Sequence, residues 1–384
     1  MKTNRFLFIA VAGMLLLMTS CRDKDARMLT IINEDGTCSR EMTFSSDAQS
    51  VMAPLSEPIN NNGMIYRAGW QRTWSVKGDS VQHPCPMTQQ QWDSLQRALP
   101  NQDISSKILM HTRQNYSSVR EMGDSLIRAA QDLIKDTASL EKHFKWFYTD
   151  YVYQETLSFA VIDKLFPIPL DRYVSADTAS YWFTGQPNLG EGLTGAEQKE
   201  LLDNIEPRIL QWFNACSMAH ICEVIANEHY DKVKNPPVTK EQFVALTDSI
   251  VQRPDVGKID FGGNLDQVVK ILEDFYHSDA YTPLFMDSDI WKMRLDEKQK
   301  SYAYLVAMAP QLDYVMPGKV VDGGDGVIEG NLIRYKFSGE RLIPHPYVIS
   351  ATSRVTNVWA FIVTFLVILL AIGSFLYRRR PKKV

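Results

Sequence analysis

The chain carries no G-x-S-x-G, no H-E-x-x-H, no P-loop and no dinucleotide fingerprint, so the common signatures of hydrolases, zinc proteases and nucleotide enzymes are missing from its 384 residues. Cysteine is scarce, five in all, which excludes a disulfide-dense scaffold. No charge sign dominates: 41 Lys and Arg stand against 45 Asp and Glu, and 45% of residues are hydrophobic, which excludes a disordered acidic tail. Long apolar runs occur only near the two termini, so a polytopic membrane protein is excluded as well. What remains is a chain long enough to bury one large core or two smaller ones without metal or disulfide support.

At the N-terminus, Lys2 and Arg5 precede an apolar run over residues 6–18, followed by Met18-Thr19-Ser20-Cys21. Thirteen residues are too few to cross a bilayer, which needs about 20. The pattern is that of a secretory signal over residues 1–20. Small residues ahead of a cysteine resemble the lipobox of bacterial lipoproteins, which implies acylation of Cys21. Each buried CH₂ of such chains contributes about 0.8 kcal/mol to anchoring.

At the other end, residues 358–376 hold no charge, Trp359 and Tyr377 flank them, and Arg378, Arg379, Arg380, Lys382 and Lys383 follow. At about 1.5 Å per residue this stretch spans the roughly 30 Å hydrocarbon core. A transmembrane helix over 358–377 and a cytoplasmic tail over 378–384 are expected, with the basic cluster kept inside. Both anchors then attach to one bacterial inner membrane, with the bulk of the chain on its periplasmic side. Setting aside the seven cations at the two ends leaves 34 basic residues against 45 acidic ones, a net charge of −11. That balance argues against nucleic acid as a partner.

Between the anchors the expected fold is α+β: an antiparallel-rich sheet built from both chain halves and bracketing a helical insertion. An N-terminal α+β part covers 21–169, the insertion 170–300, and a C-terminal β part completing the sheet 301–357. Glu34-Asp35-Gly36-Thr37 joins two β-like runs in a hairpin. A further strand is expected over 65–77. Thr88 with Gln91, Ser118 with Glu121, Thr194 with Glu197, and Thr239 with Gln242 have the spacing of capping boxes. The helix after Ser118 is expected to run to Leu133, with Val119, Met122, Leu126, Ala129 and Leu133 on one buried face, and Pro207 to kink or split the start of the long helix that follows Thr194. Residues 144–156 carry aromatic bulk on both faces and are expected to form a central, doubly buried strand. After Pro310, strands are expected over 312–316, 327–337 and 342–350, the last feeding the membrane helix so closely that the sheet has little freedom to swing.

These features resemble the membrane-anchored lipoproteins of the LppM type and, more closely, lipoproteins of Bacteroidota envelopes. The residues that carry the likeness are Cys21, the Glu34-Asp35-Gly36 hairpin, the Met316-Pro317-Gly318-Lys319 turn, and the approach to the membrane from Ser353-Arg354 through Asn357-Val358-Trp359. The resemblance implies an envelope-facing α+β domain, with an apolar cavity for lipid-like ligands as one use of it, and transfers no catalytic residues.

Candidate sites are few. Cys216, His220 and Glu223 recur at i, i+4 and i+7 on one helix face and have metal-ligating side chains, with a packed helix and a satisfied histidine as the alternative. Cys216 and Cys222 lie about 9 Å apart along a helix, beyond the roughly 7 Å a disulfide spans. Cys38 and Cys85, both near strands, are the candidate disulfide, with free buried thiols as the alternative. Ser139 and Lys142 match S-x-x-K without the companion K-T-G. Asp322 and Asp325 sit in a glycine-rich stretch with calcium-loop flavour, but Val321 and Leu332 cannot ligate. No cofactor is expected. The expected function is that of a non-catalytic binding or interaction module for an envelope protein or apolar ligand. The alternatives are an envelope hydrolase or transferase assembled from distant residues such as Asp150, Glu155, Asp171 and His220, or a structural scaffold.

Overall fold

A computed structural model describes residues 26–378 except 58, 62–63, 67–69, 100–102, 124–133, 161, 260, 262–264, 287–290 and 292–308. Cys21 and the leader lie outside the described residues, as does the expected extension of the Ser118 helix beyond 123. The chain forms two compact units. One contains the segments Asp23–Ser158, Ala309–Phe337 and Tyr347–Val384, and the other contains Phe159–Met308 and Ser338–Pro346.

Among the described residues the strands lie in the first unit, save Phe159 at the end of β9. In chain order they are β1 (Arg27–Ile32), β2 (Cys38–Ser45), β3 (Ile59–Asn61), β4 (Met64–Tyr66), β5 (Gln71–Val76), β6 (His83–Pro84), β7 (Ile108–Tyr116), β8 (Ile134–Phe144) and β9 (Tyr148–Phe159), and then β10 (Gln311–Val315), β11 (Lys319–Asp322), β12 (Val327–Glu329), β13 (Leu332–Lys336) and β14 (Tyr347–Thr356). Eight of them form one sheet in the order β12-β13-β10-β1-β2-β7-β5-β6, four form a second in the order β11-β14-β9-β8, and β3 pairs with β4. Both large sheets draw strands from the two halves of the chain, as expected. The joint in the larger one is the parallel pairing of β1 with β10, Met28 opposite Leu312; the neighbouring pairings are antiparallel.

Strand alternation decides what meets between the sheets. Met28, Thr30 and Ile32 of β1, Arg40, Met42 and Phe44 of β2, and Ile108, Met110 and Thr112 of β7 are all buried. So are Ile134, Asp136 and Ala138 of β8, Tyr151, Tyr153, Glu155 and Leu157 of β9, and Ile349, Ala351 and Ser353 of β14. Side chains from the two sheets bond to one another, as Arg40 does to Asp136 and Glu155, so the unit is a sandwich.

Local chemistry explains the turns. Between β1 and β2, Asp35 accepts from the Thr37 N–H at 2.9 Å and Gly36 takes φ +96°. In the turn between β10 and β11, Gly318 takes φ +71°, and a Cβ there would lie 2.4 Å from the Arg354 carbonyl oxygen, so only glycine lets this turn press against β14. The expected strand over 65–77 is two short elements, β4 and β5, and the one over 327–337 is a hairpin turning at Gly330 (φ +70°). The one expected over 342–350 begins at Tyr347, because residues Gly339–Leu342 form a turn of 3₁₀-helix, and it runs on to Thr356.

The second unit is helical, with its largest elements Ala176–Thr184, Gly195–Val224, Lys240–Val251 and Asp266–Tyr276. Its reciprocal caps at Thr194/Glu197 and Thr239/Gln242 form as the spacing predicts. Pro207 does not split the long helix. Downstream of it, Trp212 donates to the Ile168 carbonyl at 2.7 Å and Asn214 to those of Gly257 and Ile259, so packing holds the helix together past the proline. This unit starts eleven residues before the expected boundary of 170 and also takes in Ser338–Pro346. The reason is visible in the bond between Ser180 Oγ and His345 Nε2 at 3.1 Å.

Candidate functional site

Two places concentrate chemistry, and both lie in the sandwich unit. The first is the meeting of β8, β9, β14 and the apolar helix Val358–Arg378. β14 pairs with β9 along its whole length, ending with Thr356 opposite Tyr148. One residue, Asn357, then separates strand from helix. The helix is long and apolar enough to cross a membrane over Val358–Tyr377, and only 6% of it is buried within the protein.

Residues 144–156 are not one strand. Lys145 and Tyr148 exchange backbone hydrogen bonds at 2.8 and 3.2 Å, making Trp146-Phe147 a two-residue hairpin apex between β8 and β9. Tyr151 and Tyr153 are core residues of an internal strand, as expected. Phe144, Trp146 and Phe147 are instead 61%, 45% and 40% exposed, which corrects the expectation of double burial. Aromatic bulk alone does not distinguish a protein interior from another apolar surrounding. β8 loses its buried alternation after Ala138, so the hairpin overhangs the sandwich and meets the start of the helix.

Four contacts fix it there. Phe144 stacks on Trp359 with centroids 6.3 Å apart, Trp146 meets Trp359 edge-on at 5.3 Å, and Phe147 lies 4.7 Å from Phe361. Trp146 donates its indole N–H to Thr364 Oγ1 at 2.8 Å. Ala360, the small residue beneath, is fully buried. Asn357 completes the joint: its side-chain amide donates to the carbonyls of Lys145 (2.7 Å) and Trp146 (3.3 Å), its backbone N–H donates to that of Phe147 (2.9 Å), and its Oδ1 accepts from Thr149 (3.1 Å).

A charged tier lies just above this aromatic tip. Arg354 forms a two-pronged pair with Asp150 at 2.7 and 3.2 Å and stacks over Tyr148 at 3.8 Å. The Lys145 ammonium turns back toward Asp150, 3.6 Å away. The hydrogen bonds of Arg354, helped by its charge and that of Lys145, hold the Asp150 carboxyl below its ordinary range.

The second place is a fully buried polar cluster between the sheets. Arg40 of β2 donates to Thr30 (3.1 Å), Asp136 (3.0 Å) and Glu155 (2.8 Å). Tyr153 and Tyr314 both donate to Glu155 Oε2, at 2.5 and 2.6 Å. Arg40, Asp136 and Glu155 have no exposed surface. Burial and the adjacent charge of Glu155 raise the Asp136 carboxyl well above its ordinary value. Burial also pushes Glu155 up, but Arg40 and three hydrogen bonds outweigh it and leave Glu155 below its ordinary value. The cluster therefore sets one arginine between two buried carboxyls shifted in opposite senses, Asp136 raised and Glu155 lowered. A set so enclosed builds a core and does not meet a substrate.

The other candidate residues are dispersed. Cys216 donates to the Ile168 carbonyl at 3.8 Å and burial pushes its thiol up to about 12, opposite to what a thiolate ligand needs. His220 contacts the Leu165 carbonyl at 2.9 Å and Glu223 at 3.4 Å. Among the described residues no group of His, Cys, Asp and Glu is arranged to hold a metal ion. Cys38 and Cys85 are free and buried, so the candidate disulfide does not form. Cys38 opens β2 and Cys85 follows β6, three places apart in the sheet, or about 14 Å at the usual strand spacing. Ser139 and Lys142 lie three apart on β8 and so face opposite ways, and Lys142 is bonded to the Glu34 carbonyl. Asp322 accepts from the Gly324 N–H at 2.9 Å in a tight turn. Asp150 and Glu155, an odd number of residues apart on β9, point to opposite faces, while Asp171 and His220 belong to the helical unit. The chain matches no protein-family model, no curated protein and no solved structure.

Proposed function

We propose that the protein is an extracytoplasmic envelope lipoprotein, held at the inner membrane by an acylated Cys21 and by the helix Val358–Arg378, and that it acts as a non-catalytic module engaging a partner protein. The observation that carries this reading is the joint at Asn357: a sandwich bonded on several sides to the first turns of an apolar helix is built to be held at a membrane surface. The basic residues after Tyr377 favour a cytoplasmic C-terminus, which leaves the sandwich outside. The interior between the sheets is occupied by Arg40, Asp136, Glu155 and their tyrosines, which favours a protein partner over an apolar ligand held between the sheets.

The test is mild-detergent extraction of the full chain from its own membranes, with mass spectrometry of the acyl groups and of copurifying proteins. The expected result is an acylated Cys21 and a stoichiometric envelope protein. A monomer without companion overturns the module reading, and a tail cut by external protease in intact spheroplasts overturns the topology.

A further inference from the structure

We infer that the β8–β9 hairpin is itself a membrane element: its apex, residues 144–147, is immersed among the lipids of the leaflet facing the folded body, alongside the first two turns of the helix. The inference rests on the reading that Val358–Tyr377 crosses a bilayer, and it adds a third membrane contact, formed by the sandwich itself.

The apex has the wrong chemistry for water. Two-residue hairpin turns favour Asn, Asp and Gly, and this one presents Trp146 and Phe147, with Phe144 beside them, all substantially exposed. The apex is also placed too deep for water. Thr364, which accepts the Trp146 indole N–H, is six residues beyond Val358, or about 9 Å along the helix axis. A helix that enters the bilayer near Trp359 takes the hairpin in with it.

The polar groups are arranged for the same surroundings. Backbone carbonyls lose water in lipid and require internal donors. Asn357 supplies one each to Lys145, Trp146 and Phe147. Lys145, the one charged residue at the tip, directs its ammonium away from the apex toward Asp150, and with Arg354 it forms a charged tier at the height of the headgroups. Tyr148, between aromatic tip and charged tier, occupies the level at which amphipathic rings gather in membranes.

The experiment uses the full chain reconstituted in phosphatidylcholine–phosphatidylglycerol vesicles, nitroxide-labelled at Phe147→Cys, at Leu370→Cys on the helix, or at Val348→Cys on the exposed far end of β14. The unsubstituted chain sets the background. Relaxation by oxygen and by a water-soluble nickel chelate reports the surroundings of each label. Immersion predicts that Phe147→Cys matches Leu370→Cys, with high oxygen and low nickel accessibility, and differs from Val348→Cys. Nickel access at Phe147→Cys with Leu370→Cys still in lipid overturns the inference alone. Nickel access at both sites overturns the membrane-spanning reading as well. A label at Phe147→Cys shielded from both reagents places a protein, such as a second copy, over the tip and also overturns it. Should the cysteine variant fold poorly, brominated-lipid quenching decides the same question: the wild-type chain loses more emission than Trp146→Phe if the indole is immersed, and equally if it is not.

Discussion

Trp146 and Thr364, 218 residues apart in sequence, share a hydrogen bond of 2.8 Å that ties a β-hairpin to the side of an apolar helix. With the helix and hairpin in lipid, as inferred above, neither partner has water to fall back on. Thr364→Val leaves the indole donor unpaired, and the expected loss is about 1–3 kcal/mol. Thermal unfolding in detergent reads the loss, and faster hydrogen exchange of the indole N–H places it at the hairpin. Thr364→Ser restores the acceptor and recovers most of the stability; equal behaviour of the two variants removes the bond from the account.

Asn357 acts through a donating amide and an accepting carbonyl. Asn357→Leu removes both, and with two carbonyls losing their donor the expected loss is about 2–4 kcal/mol. Asn357→Asp keeps the acceptor for Thr149 but not the donors, so it falls between wild type and the leucine variant. Denaturant unfolding in mixed micelles ranks the three, and an aspartate variant as stable as wild type contradicts the assignment.

Removing Arg40 strands Glu155 inside the sandwich. Arg40→Met is expected to lower stability by about 3–5 kcal/mol, the typical result of breaking a buried pair from one side. Adding Glu155→Gln neutralises the stranded charge and recovers part of the loss. A double-mutant cycle measures the coupling, and strict additivity argues against a shared cluster.

The raised Asp136 carboxyl gives the protein a pH dependence of unusual sign. Its folded pKa is raised above the ordinary 3.8, so its contribution to stability is complete below that value and is lost as pH rises toward the folded pKa. Glu155, lowered from 4.5, contributes in the opposite sense: its share is complete above 4.5 and is lost as pH falls. Asp136→Asn mimics the neutral acid and removes the loss on the alkaline side alone. Stability profiles from pH 4 to 9 should therefore diverge upward for the variant, and parallel profiles show Asp136 ionised in the native state.

The four described cysteines are buried free thiols, with Cys38 and Cys85 pushed up to about 11 and Cys216 and Cys222 to about 12 by burial. None of the four is expected to react with a membrane-impermeant maleimide until the chain is denatured. Reducing agent leaves the melting temperature unchanged. Labelling of any of the four in the native state contradicts the packing described.

The sequence makes local features legible and distant ones illegible. The boxes at Thr88/Gln91, Thr194/Glu197 and Thr239/Gln242 are read correctly because each is complete within four residues. At Ser118 half of the box forms: its hydroxyl accepts from the Glu121 N–H at 3.2 Å, while the Glu121 carboxylate accepts from Ser117 and not from the Ser118 N–H. The Arg40–Glu155 pair spans 115 residues, and no local pattern distinguishes those two charges from surface ones. The aromatic run at 144–147 is recognised as apolar but assigned to the wrong surroundings, since periodicity records that a face avoids water and not what covers it. The clue is the neighbouring apolar stretch that starts with Val358-Trp359, which tells where such rings can go.

β14 hands over to the helix through the single residue Asn357, and it is laced to β9 by ten paired positions. Such a joint has no swivel. With the helix in a bilayer, as proposed, any lean or spin it adopts as the bilayer thickens, curves or crowds is passed to the sandwich, and a sideways pull on the sandwich becomes torque within the lipid. On that reading the protein behaves as a mast stepped through the deck, stiff where a tethered domain would drift.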